Sequence, residues 1–425
     1  MPEPLFLGLD LGTSGARACV IDASGRTVAE GAAAMEGDPR EPATWWRATE
    51  RALDAALAAT EPARIRALAT DGTSGTVLPV DASGRPLAPA RLYNDPCEDR
   101  AILDRIAGLA PPESGAHGAT SGLAKALGFA GLPGLARIVH QADWIAGRFS
   151  GGLVSDANNA LKTGYDPVAR RWPDWIRAAG LDTGLLPEVL EPGAPTGRVT
   201  AEAAARFGLS AGTLVVAGTT DGCASFLATG ASEAGDGVSA LGTTLTLKIL
   251  SDRPVFAPES GIYSHRLLGR WLAGGASNTG GAVLLAHFDA ARLGELSAAI
   301  DPETESGLDY YPLVRPGERF PVADPALPPR LEPRPADDAA FLHGLLEGIA
   351  SVEALGYRRL AELGAPPLRR LRSVGGGAAN PIWSRIRQRR LGVPFEASAS
   401  DQAAYGAAVL ARHGASVPAR HGAVT

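Results

Sequence analysis

A chain of 425 residues is too long for one ordinary core and suits two packed domains. Apolar residues at 45% and charged residues at 20% are usual for soluble globular proteins, and every apolar stretch is broken by Gly, Arg or Asp well short of a membrane span. A formal net charge of −6 gives no reason to expect nucleic acid, and three scattered cysteines (Cys19, Cys97, Cys223) argue against a disulfide framework or structural zinc site. The expected compartment is a reducing cytoplasm, with no membrane partner. The N-terminus runs straight into a strand-like pattern without a basic segment, so no signal peptide is expected. The only lysines are Lys125, Lys162 and Lys248, none in a Gly-Lys-Ser/Thr context. That excludes the common P-loop, so any nucleotide must be held another way.

In chain order, Leu5–Leu11 and Ala16–Ile21 read as strands around a Gly-Thr-Ser-Gly turn, and Val28 opens a third. The string Asp-Ala-Ser-Gly-Arg occurs at 22–26 and again at 81–85, each time between apolar runs, and predicts a recurring hairpin turn. Trp45–Ala59 has helical spacing, with Trp46, Leu53 and Leu57 facing a core. The small, polar segment 228–237 is the expected hinge, and Ser239–Leu250 repeats the strand-turn-strand pattern around Gly242-Thr243-Thr244. Residues 312–335, rich in proline, predict an ordered loop. Phe341–Leu363 predicts an amphipathic helix with Phe341, Leu345, Ile349 and Val352 on one stripe. A strand and the glycine run 375–377 follow, and an alanine-rich helix over Gln402–Arg412 closes the pattern.

Five short constellations carry chemistry. Gly8-Leu-Asp10-Leu-Gly12-Thr-Ser-Gly15 puts glycines and hydroxyls at a hairpin tip, where backbone N–H groups can approach phosphate oxygens. Asp10, at the strand end, suits Mg²⁺ held through water. Asp71-Gly-Thr-Ser74-Gly75 can bond sugar hydroxyls through Asp71, Thr73 or Ser74, or can be simply a capped turn. In Gly218-Thr-Thr-Asp221, the aspartate fits either a helix N-cap or a general base. Leu241-Gly242-Thr243-Thr244 repeats the logic of the first turn as a second phosphate clamp. Ser373-Val-Gly-Gly-Gly-Ala-Ala-Asn380-Pro-Ile-Trp383 suits close contact with a flat ring. It nearly matches a dinucleotide fingerprint, but Asn380 stands at the third glycine, which weighs against a dehydrogenase. His265 reads as a structural histidine, and the arginines from 369 to 390 as a solvated helix face.

Taken in this order, the five elements resemble the FGGY carbohydrate kinases over essentially the whole chain, and Asp401-Gln-Ala-Ala-Tyr-Gly-Ala-Ala resembles that family's closing helix. The resemblance implies an α/β fold of two actin-like (ribonuclease H-like) ATPase domains. Each would have a mixed five-stranded sheet flanked by helices, with an interdomain cleft between them. Residues 1–233 would form the sugar-binding, catalytic domain and 234–425 the nucleotide-binding domain. It implies ATP and Mg²⁺, with Asp221 as catalytic base and Asp10, Asp71, Ser74 and Asp221 on the sugar. Gly12, Thr13, Ser14, Gly15, Ala16, Arg17, Gly242 and Thr243 would hold phosphates, and Gly376, Gly377, Ala378, Ala379, Asn380 and Trp383 adenosine. Asp10 would also support the metal. Asp71-Gly-Thr-Ser, Leu92-Tyr-Asn-Asp-Pro-Cys97 and Gln141-Ala-Asp-Trp144 look most like the compact D-ribulose kinase branch, whose members have also been labelled xylulose kinases. The expected reaction is thus phosphorylation of a ketopentose, D-ribulose first and D-xylulose or another polyol second, by a monomer or homodimer. An actin-like ATPase module without sugar transfer is the reading from another class.

Overall fold

The computed structural model describes residues 3–416. It divides into two compact units, one of residues up to Ala228 with His265–Gly269 and the chain from Gln402, the other of Thr229–Ser264 and Arg270–Asp401. The first unit is built on a seven-stranded sheet. Strands β1 (Leu5–Leu11), β2 (Gly15–Asp22) and β3 (Thr27–Ala34) form an antiparallel meander. Helix α1 (Pro42–Leu57) follows, and β4 (Ile65–Gly72) returns parallel to β1. Leu214–Val216 lies parallel to β4, completing the five expected strands in the order β3-β2-β1-β4 and then this one. Pro195–Arg198 at the edge and the two-residue strand Thr219–Thr220, also parallel to β4, bring the total to seven.

β1 is buried along its whole length, as expected for a strand covered on both faces. On α1 the fully buried indole is Trp45, while Trp46 is only half-buried; Leu53 and Leu57 face the core as expected. The helix begins at Pro42, three residues before its predicted start, because proline is well tolerated in a first turn.

Both Asp-Ala-Ser-Gly-Arg strings form the same turn. Asp22 Oδ1 accepts from the Ser24 and Arg26 amides, and Asp81 Oδ1 accepts identically from Ser83 and Arg85. The Ser24 and Ser83 hydroxyls, donating to the same oxygens at 2.6 and 2.7 Å, do most to lower each leading carboxyl to a pKa of about 2, and the amide bonds add to it.

In the second unit, Asp236–Leu241 and Leu245–Ser251 make the predicted hairpin. Arg270–Ala276 pairs antiparallel outside it, and Arg370–Val374 lies parallel to Asp236–Leu241. These four strands repeat the β3-β2-β1-β4 arrangement of the first unit, which puts the turns 12–14 and 242–244 at equivalent places in the two sheets. Asp338–Glu362 forms the long core helix, with Phe341, Leu345, Ile349 and Val352 all buried. It is long and apolar enough by composition to cross a membrane, but 72% of that window is buried in the unit's own core.

The predicted solvated arginine face is corrected by the structure. Arg387 and Glu353 are both fully buried and form a bidentate pair at 2.6 and 2.7 Å. Arg370 and Arg372 pair with buried Asp236, Arg372 also meets Glu396, and Arg389 meets Glu347. The local helical pattern showed only charge; it could not show the acidic partners that arrive from elsewhere in the chain.

The closing helix, Ala403–Ser416, belongs to the first unit, which a single boundary at 233 does not capture. Its approach is close. A Cβ on Gly406 would stand 1.8 Å from the Ala224 carbonyl oxygen, and one on Gly8 2.0 Å from that of Ala404.

Candidate functional site

Parallel pairing gathers three aspartates of the first unit at the same end of its sheet. Asp10 and Asp71 are register partners on β1 and β4, Thr219 pairs with Asp71, and Asp221 follows two residues later at the head of helix Asp221–Ala228. Open α/β sheets bind ligands beyond the carboxyl ends of their strands, where these side chains lie. Asp71 is fully buried, and neither carboxyl oxygen has a hydrogen-bond partner among the described residues. Burial first, then the neighbouring Asp10 and Asp221, push its pKa well above the usual carboxylate range. Burial and the two nearby carboxyls thus favour the neutral form of Asp71 over the ionised one. Asp10 is buried and takes Arg17 Nη1 at 3.1 Å on Oδ2. Asp221 is half-buried, and its Oδ1 accepts from the Gly222 amide at 2.6 Å at the start of its helix.

Asp71→Asn is therefore expected to stabilise the protein at neutral pH. Below an unfolded-chain pKa of about 3.9 both states are protonated and the variant gains nothing. Above it the unfolded wild type ionises while the folded carboxyl does not, so wild-type stability falls as pH rises. Melting temperatures of both proteins from pH 4 to 8 should diverge with increasing pH; a constant gap would contradict a protonated Asp71.

The 71–75 loop sorts its hydroxyls. Thr73 is committed, with its amide and Oγ1 both donating to Gln141 Oε1 (3.1 and 2.9 Å) and its Oγ1 2.6 Å from Thr76 Oγ1. Ser74 Oγ is buried and has no partner among the described residues. Of the three residues expected to meet sugar there, Asp71 and Ser74 keep unused polar atoms and Thr73 does not. Gln141 opens the helix Gln141–Ser150, and its part in the loop left no mark in the local pattern. Lys125, almost fully buried, donates to the carbonyls of Gly75 and Tyr93, and burial lowers its pKa to about 8. Its rarity in an arginine-rich chain was the one signal available.

At the β1–β2 turn, the Gly12 amide bonds the Gly15 carbonyl, leaving Thr13 and Ser14 exposed at the tip. Gly15 is required there, because a Cβ would stand 2.4 Å from the Ala33 carbonyl oxygen. Ala16 is buried in β2, and Arg17 serves Asp10.

The second unit holds its own cleft, of about 730 Å³, on which Gly242, Thr243, Gly376, Gly377, Ala379, Asn380 and Trp383 converge. Ala378 does not line it. Leu284, Leu293 and Ser297 supply much of the opposite wall, from helices that carried no sequence motif. Trp383 is 1% exposed, and its indole donates to the Leu346 carbonyl, so it acts as floor. A Cβ on Gly377 would stand 2.4 Å from that ring. Asn380 caps the helix Pro381–Leu391 through Oδ1 and donates its amide to Ser297 Oγ at 2.9 Å, joining two walls of the cleft. His265 is half-buried in the strand Tyr263–Leu267, apart from these groups in the chain's motifs.

Comparison with known proteins agrees with this geometry. An autoinducer-2 kinase of Yersinia enterocolitica is 29% identical over 459 residues, spanning 96% of this chain and 85% of the relative. A xylulose kinase of Streptomyces coelicolor is 28% identical over 445 residues, spanning 96% and 87%. Among solved structures, a xyloylose kinase from Brucella ovis superposes with a TM-score of 0.82 at 25% identity, covering 97% of this chain and 90% of that one. A xylulose kinase from Bifidobacterium adolescentis shares the fold with a TM-score of 0.81 at 22% identity, covering 97% and 93%. Residues 237–415 match the C-terminal domain of the FGGY family of carbohydrate kinases. With its two actin-like units, its three strand-end aspartates and its glycine-lined cleft, the chain carries the C-terminal domain of the FGGY carbohydrate kinases over residues 237–415 and is similar to sugar kinases over nearly its whole length.

Proposed function

We propose that this kinase transfers the γ-phosphoryl group of ATP to a hydroxyl of a short-chain ketose, with D-xylulose now ahead of D-ribulose as acceptor. The observation that carries the reading is the convergence of Asp10, Asp71 and Asp221 at one sheet end beside the unbonded Ser74 hydroxyl. Neutral Asp71 donates to an acceptor hydroxyl, Ser74 donates or accepts, and Asp221 takes the proton of the attacking hydroxyl. In phosphoryl transfer, positioning and charge do most of the work. The cleft of the second unit takes adenosine between the 376–377 backbone and the apolar wall of Leu284 and Leu293. Gly242 and Thr243 lie on the same cleft for the phosphates, and Thr13 and Ser14 are exposed at the equivalent turn of the first unit.

Among the described residues no three His, Cys, Asp or Glu are grouped to enclose a metal. Mg²⁺ needs only one or two carboxylates with phosphate and water, a demand that Asp10 at the end of β1 would meet. When bound, it would neutralise charge on the phosphates.

The order of acceptors shifts from the sequence-based expectation because the relatives named above are xylulose and autoinducer-2 kinases, whereas the ribulose branch rests on short motifs. The test is sugar-dependent ADP release with D-xylulose, D-ribulose, L-ribulose, ribitol and glycerol, with each product identified as a sugar phosphate. D-Xylulose is expected to give the highest kcat/KM. ATP hydrolysis without any sugar phosphate would overturn the reading in favour of a non-transferring ATPase.

A further inference from the structure

Ser74 is bracketed by two clamps. On one side Gln141 Oε1 fixes both polar groups of Thr73. On the other, Lys125 Nζ donates to the Gly75 carbonyl at 2.9 Å. The same ammonium reaches the Tyr93 carbonyl at 3.0 Å, so one side chain joins segments 50 and 32 residues away. The turn it reaches is itself pinned. Asp95 accepts from the Leu92 amide at 2.9 Å and from Arg40 at 2.6 and 3.2 Å. Lys125 is 4% exposed, and no carboxylate among the described residues stands within ion-pair distance of it. A buried ammonium without a direct counter-ion is costly to keep. Two carbonyls satisfy it here, and both belong to backbone that flanks the unbonded Ser74 hydroxyl and the exposed Tyr93 ring.

We propose that Lys125 is a positioning residue for the acceptor sugar: by bonding the Gly75 and Tyr93 carbonyls together, it sets where the Ser74 hydroxyl stands toward the substrate. The inference rests on the sugar-kinase reading of the 71–75 loop. Both hydrogen bonds of Lys125 go to carbonyls of the sugar loop and its neighbour, so its effect falls on sugar binding and spares the nucleotide.

In Lys125→Met the alkyl stem stays and both carbonyls lose a charged donor. Charged hydrogen bonds of this kind correspond to roughly a 10- to 100-fold effect on a binding constant. The expected result is a rise of that size in KM for the best ketose, with KM for ATP within about threefold of wild type. Because Lys125 acts through Ser74, Lys125→Met combined with Ser74→Ala should be no worse in sugar KM than Ser74→Ala alone. Fully multiplying effects, an unchanged sugar KM, or equal losses for sugar and ATP would each overturn the proposal. Should Lys125→Met fail to fold, amide exchange on the wild type decides: added ketose should slow exchange at 72–76 and 92–95 together, and protection of one segment alone would count against the link. A wild type that phosphorylates no ketose defeats the sugar reading itself, an outcome distinct from all of these.

Discussion

Asp221→Asn is expected to lower sugar-dependent turnover by about 10²–10⁴-fold while KM for ATP stays within a few-fold. The substitution separates the two roles of this side chain. Asparagine keeps an oxygen for the Gly222 amide, so the start of helix Asp221–Ala228 survives. What it cannot do is accept the proton of an attacking hydroxyl. The groups proposed for adenosine line a cleft of the second unit with Gly242, Gly376 and Asn380, which the substitution does not alter. Coupled ADP release at saturating sugar measures the loss. Near-normal turnover would remove Asp221 as the base and leave it a helix support.

The second large effect concerns stability. Arg387→Met should destabilise the fold by about 3–5 kcal/mol, because it strands Glu353 as an uncompensated buried charge. Replacing both partners, Arg387→Met with Glu353→Leu, should recover most of that loss, since the burial penalty of the pair then disappears as well. Urea unfolding of the three proteins tests this; a double variant as unstable as the single one would refute it. The pair also has a place in the chemistry. Glu353 Oε1 accepts from Ser239 Oγ at 2.5 Å, and Arg387 donates to Ser373 Oγ at 2.9 Å. Ser239 and Ser373 are partners on the parallel strands that run into Gly242 and Gly375. Loss of the pair should therefore loosen both glycine turns and raise KM for ATP in whatever fraction remains folded.

Much of the fold was legible because it is written in local pattern. β1 was bounded correctly by its apolar run, and both Asp-Ala-Ser-Gly-Arg turns follow from an Asx geometry contained within five residues. The stripe of Phe341, Leu345, Ile349 and Val352 marked its helix equally well. The motif residues of the second unit also converge, since Gly242 and Gly376 each follow a strand of one sheet. What escaped reading depends on partners distant in sequence. Arg387 looks like any arginine on a charged helix until Glu353 arrives opposite it. Thr73 looks as free as Ser74 until Gln141 takes it. Trp383 lines the cleft, but only as a floor, because its ring is held in the core by Leu346 and its neighbours. The apolar wall from Leu284 and Leu293 had no motif, because a surface for a flat ring asks only for shape and lack of charge.

The closing helix has a consequence for how the chain is made. Ala403–Ser416 packs against β1 through Gly8 and against helix Asp221–Ala228 through Gly406, at separations that admit no side chain. The strand carrying Asp10 precedes the second unit in the chain and this helix follows it. Domains generally fold as units during synthesis, N-terminal first. Here the first unit must wait, with one face of its sheet uncovered, until the whole second unit has been translated.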